Sequence, residues 1–148
     1  MKTTILFFSL IFAISCNRSD DNSEFQSTEI TPILISKGEI FNGNYNPTRH
    51  NEIFNNYTEW NNFVTNIWGL ANIPDEATVN FNEYQVIVAL DEPRPNGGHS
   101  IDITSIIENA TNIVITVEKL NNGDATQIPT RPYHFIKIPT SNKPIVFE

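Results

Sequence analysis

Apolar residues follow three different rhythms along the chain. Residues 5–14 form a solid apolar block broken only by Ser9. Such a run is shorter than the ~20 residues a membrane-spanning helix needs. Residues 57–68 have a helical rhythm, with Trp60, Val64, Ile67 and Trp68 on one face and Phe63 beside them. This spacing predicts one main helix, with Asn56 or Thr58 as its cap and Gly69 as its stop. Elsewhere the pattern is that of strands. Residues 84–90 are apolar on both faces and predict a central strand. Ile101 and Ile103 alternate with polar neighbours, as do Ile113, Ile115 and Val117, which predicts half-buried strands. Residues 133–138 and 145–147 supply two last strands, and 33–35 and 39–41 are short β-like runs around Lys37 and Gly38. Turn chemistry fills residues 42–51, 91–98, 109–112 and 122–123. No repeat of fixed period is present. The expected fold is α+β and mostly antiparallel, a sheet or sandwich of about six to eight strands with one helix near 57–68.

The apolar block follows Lys2 and ends in Ala13-Ile14-Ser15-Cys16, which makes residues 1–15 an export signal. A small residue just before a cysteine at the end of such a block resembles the lipobox of bacterial lipoproteins. That resemblance implies cleavage before Cys16, acylation of its thiol and membrane attachment through lipid. One acyl chain binds only marginally, whereas two or more anchor stably. Residues 17–28 hold one aromatic and no aliphatic side chain, too little to offset the entropy of ordering. Residues 16–30 therefore read as an acylated, flexible tether and 31–148 as a single β-rich domain. The expected location is the outer membrane, with the domain facing the periplasm or the cell surface. Asp20 and Asp21 resemble the acidic export signals of some surface lipoproteins.

The formal net charge is −8 over 148 residues. That balance argues against nucleic acid, whose phosphates require clustered Lys and Arg. The single cysteine rules out an internal disulfide. His50, His99 and His134 are far apart and lack the spacing of a zinc site, so no metal or other cofactor is expected. Ser100 stands in no nucleophile elbow. Asp91-Glu92 are adjacent, where glycoside hydrolysis needs carboxyls ~5–9 Å apart across a cleft. The chain is read as a non-enzyme.

What remains is a contact surface. Pro93 and Pro95 stiffen the loop that carries Arg94, Asn96, Gly97, Gly98 and His99. Thr130-Arg131-Pro132-Tyr133-His134 reads as a second stiff loop, with an arginine and an aromatic of the kind favoured at binding hot spots. Side by side, Arg94, Asn96, Gly97, Gly98, His99, Arg131, Tyr133 and His134 would form one partner-binding patch.

The order of these segments carries a family resemblance. Tyr84 to Leu90, Arg94-Pro95-Asn96-Gly97-Gly98, Ser100 to Ile106, and Thr130-Arg131-Pro132-Tyr133-His134 with Ile138-Pro139 together resemble the C-terminal domain of the protease complex subunit PrcB family. Lys37-Gly38 and Glu59-Trp60 sit where that family often has the same pairs. His99 and Asn96 depart from the usual Tyr or Phe and Thr or Ser, which puts a shared contact at the loop tip in doubt. The family is named for a lipoprotein-associated subunit that stabilises an envelope serine protease, so the resemblance implies an accessory protein that binds an envelope protease or other complex. Two other readings stay open. The two loops loosely resemble those of chagasin-like protease inhibitors, although Thr-Thr and the aromatic are missing. Alternatively, Trp60 or Trp68 could serve as the platform of a glycan- or ligand-binding module.

Overall fold

The computed structural model describes residues 25–41, 49–68 and 74–148. The expected signal, Cys16, most of the tether, the turn over 42–48 and Gly69 lie outside them.

Among the described residues eight strands form two four-stranded sheets. One sheet has the order β2 (Ile33–Phe41), β7 (Thr130–Pro139), β4 (Tyr84–Leu90), β3 (His50–Phe54). The other has the order β1 (Thr28–Glu29), β5 (Asp102–Glu108), β6 (Ile113–Glu118), β8 (Ile145–Phe147). All pairings are antiparallel except β6 with β8. The one α-helix among the described residues, α1 (Tyr57–Trp68), has the bounds its spacing predicts. Asn56 caps it, its Oδ1 accepting the Glu59 N–H at 3.0 Å. Among the described residues no helix is long and apolar enough to cross a membrane.

The layers explain why β4 is apolar on both faces. Val86, Val88 and Leu90 pack under α1, with Trp60, Phe63, Val64 and Ile67. Ile87 and Ala89 face the second sheet, with Ile101, Ile106, Ile113 and Ile115. β7 does the same: Phe135 joins the first core, Ile136 and Ile138 the second. The molecule is thus helix on sheet on sheet, with two cores divided by the β4–β7 pair.

Trp60 is the keystone of the helix-side core. It is 1 % exposed, stacks with Phe63 at 5.8 Å between ring centroids and meets Phe135 edge-on at 6.1 Å. Its indole N–H donates to the Ala77 carbonyl at 2.7 Å, fixing the short 3-10 turn Asp75–Ala77 over the sheet. The reading of Trp60 as a ligand platform is therefore corrected: its ring is buried and its one donor is used within the fold.

Four other expectations change. The runs at 33–35 and 39–41 are one nine-residue strand, because Gly38 lies against the Tyr133 ring and does not break the chain. His50 and Asn51, expected in a turn, begin β3. The tether ends early: Thr28 and Glu29 pair with Glu108 and Ile107, and Ile30 packs on the inter-sheet core. Finally, residues 130–132 are not a loop but the first residues of β7.

Trp60→Phe keeps a ring in place but leaves the buried Ala77 carbonyl without its donor. We expect it to lower unfolding free energy by about 2–3 kcal/mol, read from urea denaturation followed by circular dichroism.

Candidate functional site

A proline in an interior strand removes one donor from the ladder. β7 has neighbours on both sides, and it contains Pro132. The Asp91 N–H donates to the Pro132 carbonyl at 3.0 Å, continuing the register in which Leu90 opposes Tyr133. An N–H at residue 132 would return the second bond to the Asp91 carbonyl, and proline has none. The neighbouring side chain fills the gap: Arg131 Nε donates to that carbonyl at 2.6 Å. The Arg-Pro pair is thus one structural unit. Arg131 is 3 % exposed and Tyr133 is buried with its ring against Phe135. Neither side chain is laid out on a surface, because both complete the interior of β7.

The other end of Asp91 gathers charge. Its carboxylate, itself fully buried, meets Arg94 at 2.6 Å and Lys119 at 2.9 Å. Burial would raise its pKa, but the hydrogen bonds from Lys119 and Arg94 outweigh that and hold it below the ordinary carboxylate value. Glu92 also reaches Arg94, at 3.0 Å. Arg94 is consequently neutralised where it stands.

The structure does bring the two segments together. Arg94 and Thr130 exchange backbone hydrogen bonds of 2.7 and 3.0 Å, and the Thr130 hydroxyl donates to the Asn96 carbonyl at 3.0 Å. What faces the glycines, however, is the chain's own segment 119–129, which crosses over them as a strap. Asp124 N–H donates to Gly97 O at 2.8 Å, Gly123 N–H to Gly98 O at 3.2 Å, and Asn96 Nδ2 to Asp124 O at 2.8 Å. Gly98 has φ +77°, and a Cβ there would lie 2.7 Å from the Asp124 carboxyl carbon. Gly123 has φ +96°, and a Cβ there would lie 2.6 Å from Asn96 Nδ2 and His99 Nε2. The two glycines interlock loop and strap, leaving residues 120–129 exposed on the outside.

His99 and His134 do different work. His99 Nε2 bonds Asn96 Oδ1 at 3.0 Å within the loop, while its N–H donates to Glu39 Oε1 at 3.2 Å. His134 lies on the inter-sheet side of β7, where its Nδ1 accepts the Ile103 N–H at 3.0 Å. Protonating Nδ1 would set two donors face to face. Burial, then the nearby Lys37 charge, lower its pKa to about 4. Lys37 in turn is paired with Asp102, whose Oδ2 also accepts from the Ser100 hydroxyl and the Leu120 N–H. Between β2 and residues 98–101 a cavity of about 350 Å³ opens, walled by Lys37, Gly38, Glu39, Gly98, His99 and Tyr133 among others. Among the described residues no group of three or more His, Cys, Asp or Glu side chains could hold a metal ion.

Of the eight residues expected to form a patch, then, Arg94, Asn96, Gly97, Gly98 and His99 share the loop, and Arg131, Tyr133 and His134 lie within β7. Sequence reading missed Glu39, Asp91, Asp102 and Lys119, which hold this end together. The sign that could have pointed to Asp91 and Asp102 is a carboxylate at the end of each of two apolar strands.

Two outcomes follow. Arg131→Met removes the donor but keeps the stem, and is expected to cost about 2–3 kcal/mol. In a Pro132→Ala background, where residue 132 regains an N–H, the same change is expected to cost at least ~1 kcal/mol less, measured as a double-mutant cycle in urea. For His134, a folded pKa below the unfolded 6.5 means that the unfolded chain takes up the proton first. Stability is therefore lost as pH falls from 6.5 towards about 4. The depressed Asp91 and Asp102 add their own loss only below 3.8. His134→Asn, which keeps an acceptor, is expected to flatten the upper window by about one proton's slope, read from thermal melts against pH.

Comparison with curated proteins gave no match, and comparison with solved structures gave none. One family model does match, over the stretch that runs from β4 through the interlocked loop and strap to the last residue of β7: residues 85–139 are similar to the PrcB C-terminal family.

Proposed function

We propose that the chain is a non-catalytic accessory subunit that binds an envelope protease complex, held at the outer membrane by lipid on Cys16. The observation that carries this reading is the PrcB C-terminal match over residues 85–139. The geometry supports a binding role over a chemical one. The Ser100 hydroxyl is committed to Asp102 and to the Asn121 N–H, and His134 to the Ile103 N–H, so each polar group braces the fold. The contact surface on this reading is the outside of the strap. Its ends carry Leu120 and Ile128, which are 60 % and 49 % exposed. Apolar side chains on a rigid, polar-rimmed element suit a protein partner. Backbone bonds among Gly97, Gly98, Gly123, Asp124 and Thr126 tie the strap to the loop beneath, which lowers the ordering entropy lost on docking.

The test is capture from the native envelope in gentle detergent. The anchored protein is expected to bring down a protease in stoichiometric amount, and a Cys16→Ser variant to lose membrane association. The double variant Leu120→Asp, Ile128→Asp should fold normally yet recover at least ~10-fold less of the partner. A protease that is absent from the eluate, or captured equally by the double variant, would sink the reading or the surface assigned to it.

A further inference from the structure

β2 is the longest strand at the edge of either sheet, and among the described residues no strand pairs with its outer side. Three large apolar residues on it, Ile33, Leu34 and Phe41, are 45–57 % exposed. A long edge strand presents unpaired N–H and C=O groups that template pairing with a further strand, and bulges and charged side chains limit where that pairing runs. A register shift between Leu34 and Ser36 marks a bulge at Ile35, so the regular stretch is residues 36–41.

Pro132 decides which backbone groups of β2 point outward. Its carbonyl is turned towards β4, where it accepts the Asp91 N–H. Glu39, its partner on β2, is therefore in a pair that exchanges no hydrogen bonds. Thr130 is likewise turned towards Arg94, so its partner Phe41 is in the same condition. By alternation Lys37 joins them. The N–H and C=O groups of Lys37, Glu39 and Phe41 thus face away from the sheet, while those of Gly38 and Ile40 face β7.

We propose that this edge pairs with the same edge of a second copy of the chain, antiparallel, about a two-fold axis at Gly38. The register is set by two constraints that agree. Outward-facing residues must oppose one another, which an axis at Gly38 achieves by setting Lys37 against Glu39 of the second copy, and Glu39 against its Lys37. That same pairing sets opposite and not like charges side by side on one face, so the Lys37–Asp102 pair and the bond from the His99 N–H to Glu39 are kept and no repulsion opposes the approach. On the other face the axis passes between two glycines, so no side chain obstructs the approach. The two four-stranded sheets then join into one of eight strands, and the bulge at Ile35 ends the pairing on each side.

Backbone hydrogen exchange by NMR tests this on the full chain with Cys16→Ser and no lipid. Between dilute solution and roughly 100 μM, a range suited to a small interface, the Lys37 and Glu39 amides are expected to gain at least ~10-fold protection. Gly38 and Ile40 amides, already bonded to β7, should change little. Sedimentation equilibrium should show the mass doubling over the same range. Gly38→Cys in this background should cross-link readily, because Cα atoms in a non-hydrogen-bonded pair lie ~4.5 Å apart, within disulfide reach. A Cβ at Gly38 meets only ordinary contacts, the nearest being the Tyr133 hydroxyl at 3.5 Å. Phe41→Cys should not cross-link, since its copies would lie about 20 Å apart. A monomer at every concentration, concentration-independent exchange at Lys37 and Glu39, or cross-linking of Phe41→Cys as fast as Gly38→Cys would overturn the proposal.

Discussion

The site end of the molecule depends on how one missing N–H is replaced. Pro132 sits in an interior strand, where the Asp91 carbonyl needs a donor that proline lacks. Supplying it draws Arg131 into the interior. With its carbonyl so fixed, Asp91 places its carboxylate between Arg94 of the loop and Lys119 of the strap. The ladder, the Pro-flanked loop and the strap thus converge on a single residue. Asp91 is the buried member of this cluster and Arg94 and Lys119 are partly exposed, so removing a cationic partner leaves a desolvated carboxylate short of counter-charge.

This convergence changes the meaning of the loop glycines. Free backbone at a loop tip can accommodate a partner protein, but here it accommodates residues 122–124 of the same chain. Gly98 and Gly123 each occupy positive φ and each stand where a Cβ would strike the opposite segment. The glycines set the geometry, and on the function proposed above the strap presents the surface. A subunit that holds a partner in place gains from such an arrangement, since a contact face supported by an ion cluster and several backbone bonds does not have to order itself on docking.

How much of this the amino-acid pattern carries differs from element to element. The helix was legible to its end residues, because Trp60, Val64 and Ile67 repeat at helical spacing and Asn56 precedes them as a cap. The double-faced β4 was legible for a similar reason: only a strand covered on both sides can be apolar throughout. Residues 130–132 were hidden because proline normally demotes a strand to a loop, and the compensation comes from a side chain whose target lies 40 positions away. β2 was split in two by Gly38, whose small size serves packing on Tyr133 and not a turn. β3 was obscured by the asparagine-rich stretch before it. Whether the loop meets residues 130–134 was not legible in the sequence; paired backbone bonds between Arg94 and Thr130 bring them together. What spacing could not reveal is that Arg131 and Tyr133 point into the protein.

β1 has a mechanical meaning. It is held to the second sheet by two residue pairs, and Phe25 just before it lies under the Lys143 ammonium at 4.1 Å from the ring centre. A pull on the chain upstream of Phe25 meets these contacts in series, ahead of anything in the central β4–β7 pair. Antiparallel strands pulled from one end open bond by bond, so β1 would yield first and release residues 25–30, roughly 20 Å of chain. Opening β1 would lengthen the chain before the β4–β7 pair, the strap or the ion cluster is disrupted, which makes β1 a shock absorber for the rest of the domain.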